Sequence, residues 1–273
     1  MENKRLKVAC VQMVSGIDFQ ENLEVAARLI AQAKDRDAQL IVLPEFFALM
    51  GKNEKDKLAY IEPHGSGPFQ DFLHEQTKKN KLWIVGGTHA IDSGVINKPF
   101  SRCYVYRPTG EVETWYDKIH LFDVAVDDNT KTYKESKYAS PGASIKSFKI
   151  GAFHIGLAVC YDLRFPELFR QLTYSGCNTF VLPAAFTATT GKAHWEILLK
   201  ARAIENQTYM LASAQAGNHQ NGRKTWGHTC VVSPWGETLS EMSQGQGVIE
   251  YQLNLDELEK VRNEFPVLTH TRL

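Results

Sequence analysis

The chain alternates short, largely apolar runs with longer segments in which apolar residues recur every three or four positions. Leu6–Met13, Gln39–Leu43, Leu82–Thr88, Phe153–Val159, Thr179–Leu182, Thr208–Ala214, His228–Ser233 and Val248–Leu253 are of the first kind and read as buried strands. The second kind begins at Asp18, an acceptor side chain with Glu21 three positions on, and continues through Leu23, Ala26, Ala27, Ile30, Ala31 and Ala33. Pro68–Asn80, Pro166–Ser175, Lys192–Asn206 and Leu255–Glu264 read as further helices, with Ile197, Ala201 and Ile204 on one stripe of the third. Pro108, Thr109 and Gly110 separate Ser101–Arg107 from Glu111–Lys118 and predict a hairpin.

Helices interleaved with strands predict an α/β layered sandwich, and 273 residues suffice for one domain spanning 1–273. Val124–Pro141 is polar and weakly patterned, and a long irregular segment in a compact domain is often an active-site loop. Acidic and basic residues balance at 31 each, which gives no reason to expect nucleic acid or an anionic membrane as partner. No run of about 18 apolar residues predicts a membrane span. Val8–Val14, interrupted by Gln12, is too short for a signal-peptide core. The cysteines at 10, 103, 160, 177 and 230 are odd in number and far apart, which disfavours a disulfide framework or zinc site and favours the cytoplasm.

Three polar residues stand where apolar runs end. Cys160 follows Ile155–Val159 and precedes a helix; a thiol on such a turn is exposed above a rigid sheet, with backbone N–H groups able to face an oxyanion. The alternative is a small buried apolar residue, a common fate of free cysteine. Glu45 follows Leu40–Pro44, and burial there suits a carboxylate to proton transfer; otherwise it is a solvated strand-end residue. Lys118 follows Thr114–Asp117, where a cation would favour the thiolate and an oxyanion; otherwise it is a surface lysine.

The segments LIVLPEFF, YDKIHLF and LAVCYDLRFPELFR, in that order, resemble the three catalytic segments of the nitrilase, or carbon–nitrogen hydrolase, superfamily, and the likeness runs from about Leu6 to about Leu268. The resemblance implies a four-layer αββα sandwich and a cysteine-dependent amidase with Cys160 as nucleophile, Glu45 as general base and Lys118 as stabiliser. It also implies Glu135 as a second glutamate supporting Lys118, and the Tyr161 backbone N–H as an oxyanion donor. No metal or organic cofactor is implied, and a homodimer or larger homo-oligomer is, with Leu168 and Leu172 as contacts that intramolecular packing explains equally well.

Arg164 suits a substrate carboxylate, or an ion pair with Asp162 or Glu167. The stretch Pro183–Glu196, with Thr187 as a pocket residue, looks like the branch holding omega-amidases and deaminated-glutathione amidases; Ala214–His219 with Arg223 looks closer to the latter. That likeness implies a small α-keto acid amide bearing a carboxylate, cut to 2-oxoglutarate and cysteinylglycine, with His219 and Arg223 meeting the longer substrate. Alternatives are an omega-amidase acting on 2-oxoglutaramate, another small-amide or nitrile hydrolase, and a non-catalytic interaction module on this scaffold. The scattered histidines lack metal-ligand spacing, Ser66 lacks a nucleophile-elbow frame, and His120 and His154 lack a distinctive Cys–His partner pattern.

Overall fold

In the computed structural model, which describes residues 3–53, 55–128 and 130–272, the apolar runs pair into two main sheets. The first has the order Gly247–Asn254, Arg5–Gln12, Leu40–Leu43, Trp83–Gly86, Phe100–Tyr106 and His89–Ile91, with Val112–Asp117 also paired to Phe100–Tyr106. The second has the order Thr238–Met242, Thr229–Val232, Tyr209–Ala214, Thr179–Ala184, Phe153–Leu157 and Ser147–Ile150. Helices α1 (Phe19–Asp35) and α2 (Pro68–Asn80) pack on the first sheet; α3 (Pro166–Tyr174) and α4 (Ala188–Asn206) pack on the side of the second; α5 (Leu255–Glu264) follows the last strand. The sheets contact each other, giving the αββα order of layers.

Strand alternation explains why the runs are apolar throughout. Along Arg5–Gln12, Leu6, Val8 and Cys10 belong to the cluster between the sheets, while Ala9 and Val11 belong to the cluster under α1 and α2. Both faces are buried, so neither tolerates polarity. The punctuation is equally physical. Asp18 Oδ1 accepts the Glu21 N–H at 2.9 Å and caps α1, and Gly110 closes the hairpin by donating to Arg107 O at 2.9 Å.

Four expectations need correction. The strand expected through Thr88 ends at Gly86, because Gly87 turns the chain at φ +54°. Helix α4 begins four residues before Lys192: Thr187 caps it by accepting the Thr190 N–H at 3.2 Å, and Gly191 lets its first turns lie against Trp226. Its buried face carries Trp195, Leu199, Arg202, Ala203 and Asn206, whereas Ile197 and Ile204 are exposed. Leu168 and Leu172 lie in the core, so neither offers a contact to a second chain. No described helix is long and apolar enough to cross a membrane.

The strand directions place the candidate residues at one edge. Arg5–Gln12, Leu40–Leu43 and Trp83–Gly86 are mutually parallel. Phe100–Tyr106 opposes them and Val112–Asp117 reverses again, so Glu45 and Lys118 leave their strands in the same direction. The second sheet joins this edge through buried side chains. Ser213 Oγ accepts the Val11 N–H at 3.0 Å and donates to the Val42 carbonyl at 2.8 Å, so one hydroxyl of the second sheet ties two strands of the first. Gln215 Nε2 donates to Ser15 Oγ at 2.7 Å and to the Glu45 carbonyl at 3.1 Å, and its Oε1 accepts the Ser15 N–H at 3.0 Å.

Gly87 supports the same edge. A Cβ there would fall 2.2 Å from the Pro44 carbonyl oxygen, one residue before Glu45, in a left-handed conformation that side chains disfavour. Gly87→Ala is expected to cost about 2 kcal/mol or more from overpacking and backbone strain and to lower turnover together with stability. Urea unfolding beside steady-state rates checks this; unchanged stability and turnover would refute it.

Candidate active site

Cys160, Glu45, Lys118 and Glu135 meet at the floor of an open cavity of about 380 Å³. Cys160 follows the strand Phe153–Leu157 and has φ +48°, unusual for a residue with a side chain. Val159 before it is extended, and the tight turn Cys160–Arg164 after it leads into α3. The thiol is buried apart from 7% of the residue surface.

Lys118 is clamped along its whole length. Its N–H donates to Ser101 O at 3.0 Å and its carbonyl accepts from Gly142 N–H at 2.9 Å. Its Nζ donates to Glu45 Oε1 at 3.0 Å and to Glu135 Oε1 and Oε2 at 3.1 and 2.9 Å. Glu135 is steadied in turn, its Oε2 accepting the Phe122 N–H at 2.7 Å. Lys118 and Glu45 are 2% and 1% exposed, so water screens their interaction poorly.

The electrostatics follow from one ammonium facing two carboxylates beside a thiol. Burial pulls the Lys118 ammonium down, but the Glu135 and Glu45 carboxylates outweigh it, and the amine stays charged, held well above its ordinary range. Burial pushes the Cys160 thiol well above its ordinary range, and the Glu45 charge pushes it further; Lys118 and the Ala185 backbone N–H oppose this without prevailing. The thiolate-favouring effect expected of Lys118 is therefore present but outweighed. The Cys160 thiol therefore holds its proton more tightly than an ordinary cysteine, with Glu45 hydrogen-bonded beside it.

The remaining candidates divide. Tyr161, Arg164, Thr187 and Arg223 line the same cavity. Arg164 makes no ion pair with Asp162 or Glu167 among the described residues; its guanidinium meets His194 Nδ1 at 3.2 Å and lies over the rings of Tyr161 and Phe186. Thr187 is engaged in capping α4, with its hydroxyl 2.9 Å from that of Thr190. His219 is not brought to the cavity: it is buried, with Nδ1 2.9 Å from Ser15 O and Nε2 2.7 Å from Thr225 Oγ1, and it fixes its loop instead. His120 and His154 also lie outside the lining. The polar segment Val124–Pro141 does reach the cavity, folded into a short hairpin, Asp123–Ala125 against Thr132–Lys134, that delivers Glu135.

Sequence reasoning missed several contributors. Ala185 follows the strand Thr179–Ala184 and turns its N–H to the thiol; the strand end was visible, its direction was not. Lys52, Lys134 and Lys137 join Arg164 and Arg223 around the cavity, so cations dominate the lining once Lys118 is paired with Glu45 and Glu135. Asn221 Nδ2 donates to Gly51 O at 2.7 Å and joins two of these loops.

Residues 7–263 match the carbon–nitrogen hydrolase family. The chain is 37% identical over 270 residues to a Yersinia enterocolitica protein named deaminated glutathione amidase, covering 98% of this chain and 94% of that one. It is 38% identical over 265 residues to a Synechocystis protein of the same name, covering 96% of each. The crystal structure of a Saccharomyces cerevisiae protein described as a member of branch 10 of the nitrilase superfamily superposes with a TM-score of 0.86 at 29% identity, over 97% of this chain and 96% of that one.

The buried thiol gives a pH prediction. Because the Cys160 pKa is raised, its alkylation by iodoacetamide is expected to keep accelerating as pH rises through 9, where an ordinary thiol is levelling off. Lys118→Ala removes the cation that opposes the shift and should move the profile higher; Glu45→Gln removes the anion that reinforces it and should move it lower. Mass spectrometry of Cys160 across pH reads this, and a plateau below pH 9 in the wild type would contradict it.

Proposed function

The chain belongs to the carbon–nitrogen hydrolase family and is a cysteine-dependent amidase; from that premise we propose that Cys160, Glu45, Lys118 and Glu135 carry out the reaction and that the substrate is deaminated glutathione. The observation that carries the assignment is the Lys118 ammonium held between the buried Glu45 carboxylate and the partly buried Glu135 carboxylate, with the Cys160 thiol hydrogen-bonded to Glu45. The name shared by the relatives and the cation-rich cavity support the substrate. The likeness over residues 7–263 supports reading 1–273 as one domain.

Each step moves one proton. Glu45 takes the Sγ proton as sulfur adds to the amide carbonyl carbon. The charge that develops on the carbonyl oxygen is met by Lys118 and the Tyr161 N–H. The intermediate collapses by breaking the C–N bond, Glu45 returns the proton to the departing amine nitrogen, and a thioester remains. Water then attacks, Glu45 receives its proton, and C–S cleavage releases the acid while the thiol is reprotonated. Glu135 holds Lys118 in place. With deaminated glutathione the acid is 2-oxoglutarate and the amine is cysteinylglycine.

We also place the chain in the cytoplasm and as a homodimer or larger homo-oligomer. The five free, buried cysteines suit a reducing compartment. Ile197 and Ile204, exposed on one face of α4, suit a surface covered by a second copy. Light scattering at micromolar concentrations is expected to give a mass above that of one chain, and a strictly monomeric mass would refute the assembly.

Purified Cys160→Ala is expected to fold and to lose hydrolysis by several orders of magnitude, because nothing else in the cavity can form the thioester. Deaminated glutathione is expected to exceed 2-oxoglutaramate in kcat/KM. Arg223→Ala should weaken the longer substrate selectively, by about 1.5 to 3 kcal/mol for a lost charged hydrogen bond, and Arg164→Ala should harm both. Product formation over a panel of deaminated glutathione, 2-oxoglutaramate, 3-ureidopropionate and a nitrile analogue decides. Preference for 2-oxoglutaramate would make the protein an omega-amidase, and full activity of Cys160→Ala would remove the mechanism.

A further inference from the structure

Asp162 lies two residues beyond the proposed nucleophile and is fully buried, yet it does not line the cavity. Its carboxylate collects four donors from two separate segments. Oδ2 accepts the Val159 N–H at 2.8 Å and the Tyr116 hydroxyl at 2.8 Å. Oδ1 accepts the His120 N–H at 3.1 Å and faces His120 Nδ1 at 2.7 Å. Val159 immediately precedes Cys160; Tyr116 and His120 stand two residues on either side of Lys118.

We propose that Asp162 is a positioning residue, fixing the turn that carries Cys160 against the loop that carries Lys118 so that sulfur and ammonium keep a productive separation. This rests on the roles given above to those two residues. The lysine segment ends a strand of the first sheet and the cysteine segment ends a strand of the second, so no backbone ladder spans them at this point. Asp162 is the bridge. The turn needs one, because Cys160 is held at a positive φ that its own preference does not supply. The rest of the network agrees. Tyr116 OH also accepts the Ile119 N–H at 3.3 Å. Burial and the Asp162 charge hold the Tyr116 phenol far above its usual range, so it remains a donor. His120 stacks on Phe165 at 3.6 Å between ring centroids, which sets the plane in which Nδ1 meets the carboxylate.

Only a carboxylate satisfies this site. One backbone N–H is directed to each oxygen, Val159 to Oδ2 and His120 to Oδ1. The tyrosine hydroxyl can rotate and the imidazole can change tautomer, but neither backbone N–H can become an acceptor. An asparagine, in either amide orientation, sets its NH2 against one of them. Asp162→Asn therefore keeps the volume of the side chain while releasing either the cysteine turn or the lysine loop.

The test compares Asp162→Asn, Lys118→Ala and the double variant, with rates expressed per active site titrated at Cys160 by an electrophile. Asp162→Asn is expected to lose about 100-fold in kcat, the scale on which a misplacement of roughly 1 Å acts, with KM changed less than about threefold. In the Lys118→Ala background the same substitution is expected to cost less than about threefold, since the separation it maintains then has no ammonium at one end. Losses that multiply, or an Asp162→Asn enzyme with wild-type kcat per titrated site, overturn the proposal. A merely destabilising effect would lower the titratable fraction and leave kcat per site unchanged, which overturns it as well. Should Asp162→Asn not fold, Tyr116→Phe removes one donor from Oδ2 with little change of volume; it is expected to lower kcat per site by about tenfold, and again much less in the Lys118→Ala background. Cys160→Ala and Lys118→Ala alone test the underlying mechanism: if either turns over normally, that mechanism has failed, and the question about Asp162 is separate.

Discussion

The arrangement depends on one buried ammonium shared by two carboxylates. Taking Lys118 out of water costs several kcal/mol, and Glu45 and Glu135 offset that cost only while both stay within hydrogen-bond distance. The requirement reaches outward. Glu135 must be delivered by the short hairpin and held by the Phe122 N–H, and Glu45 must be held through its carbonyl by Gln215 from the other sheet. Two anions facing one cation leave an excess of negative charge in a poorly solvated place. The same arrangement reaches the thiol, since the Glu45 charge beside Cys160 favours the protonated sulfur and Lys118 opposes it.

Much of this was legible in the chain because the chemistry sits where strands end. Glu45, Lys118 and Cys160 each interrupt an apolar pattern at its boundary, and the strings around them are long enough to resemble a family. What stayed hidden depends on direction and on distant partners. The periodicity of α4 marks Ile197 and Ile204 as a stripe, but it does not say which face meets the sheet. The buried face instead carries Trp195, whose indole N–H donates to His228 O at 2.8 Å, and Arg202, whose guanidinium donates to Leu163 O at 3.0 Å. His219 reads from sequence as a polar residue near a binding segment, yet Ser15 and Thr225, far away in the chain or across a turn, occupy both its ring nitrogens. Ala185 contributes only a backbone N–H, and no side-chain pattern can announce that.

The cavity joins parts of different character. Its floor is buried, with Lys118 clamped by backbone and side-chain bonds and Cys160 set on a tight turn, while its wall adds long cationic side chains among aromatic ones. Such side chains keep their charge in water and adapt their reach. The long cations of the lining and the Glu45, Lys118 and Cys160 cluster are therefore separate sets of groups within one cavity. Arg164 stands between these sets, one turn beyond the nucleophile and flattened over two aromatic rings.

Ser213 gives that separation a wider meaning. Its single hydroxyl, wedged between two strands of the opposite sheet, means that the alignment of one half of the molecule on the other is recorded in the interior. The loops around Lys52 and Asn221 are pinned to each other and to Ser15 by separate bonds, so a change of charge at their exposed side chains need not shift that alignment. A lineage built this way can explore new amides by trial at its rim while inheriting its reaction intact.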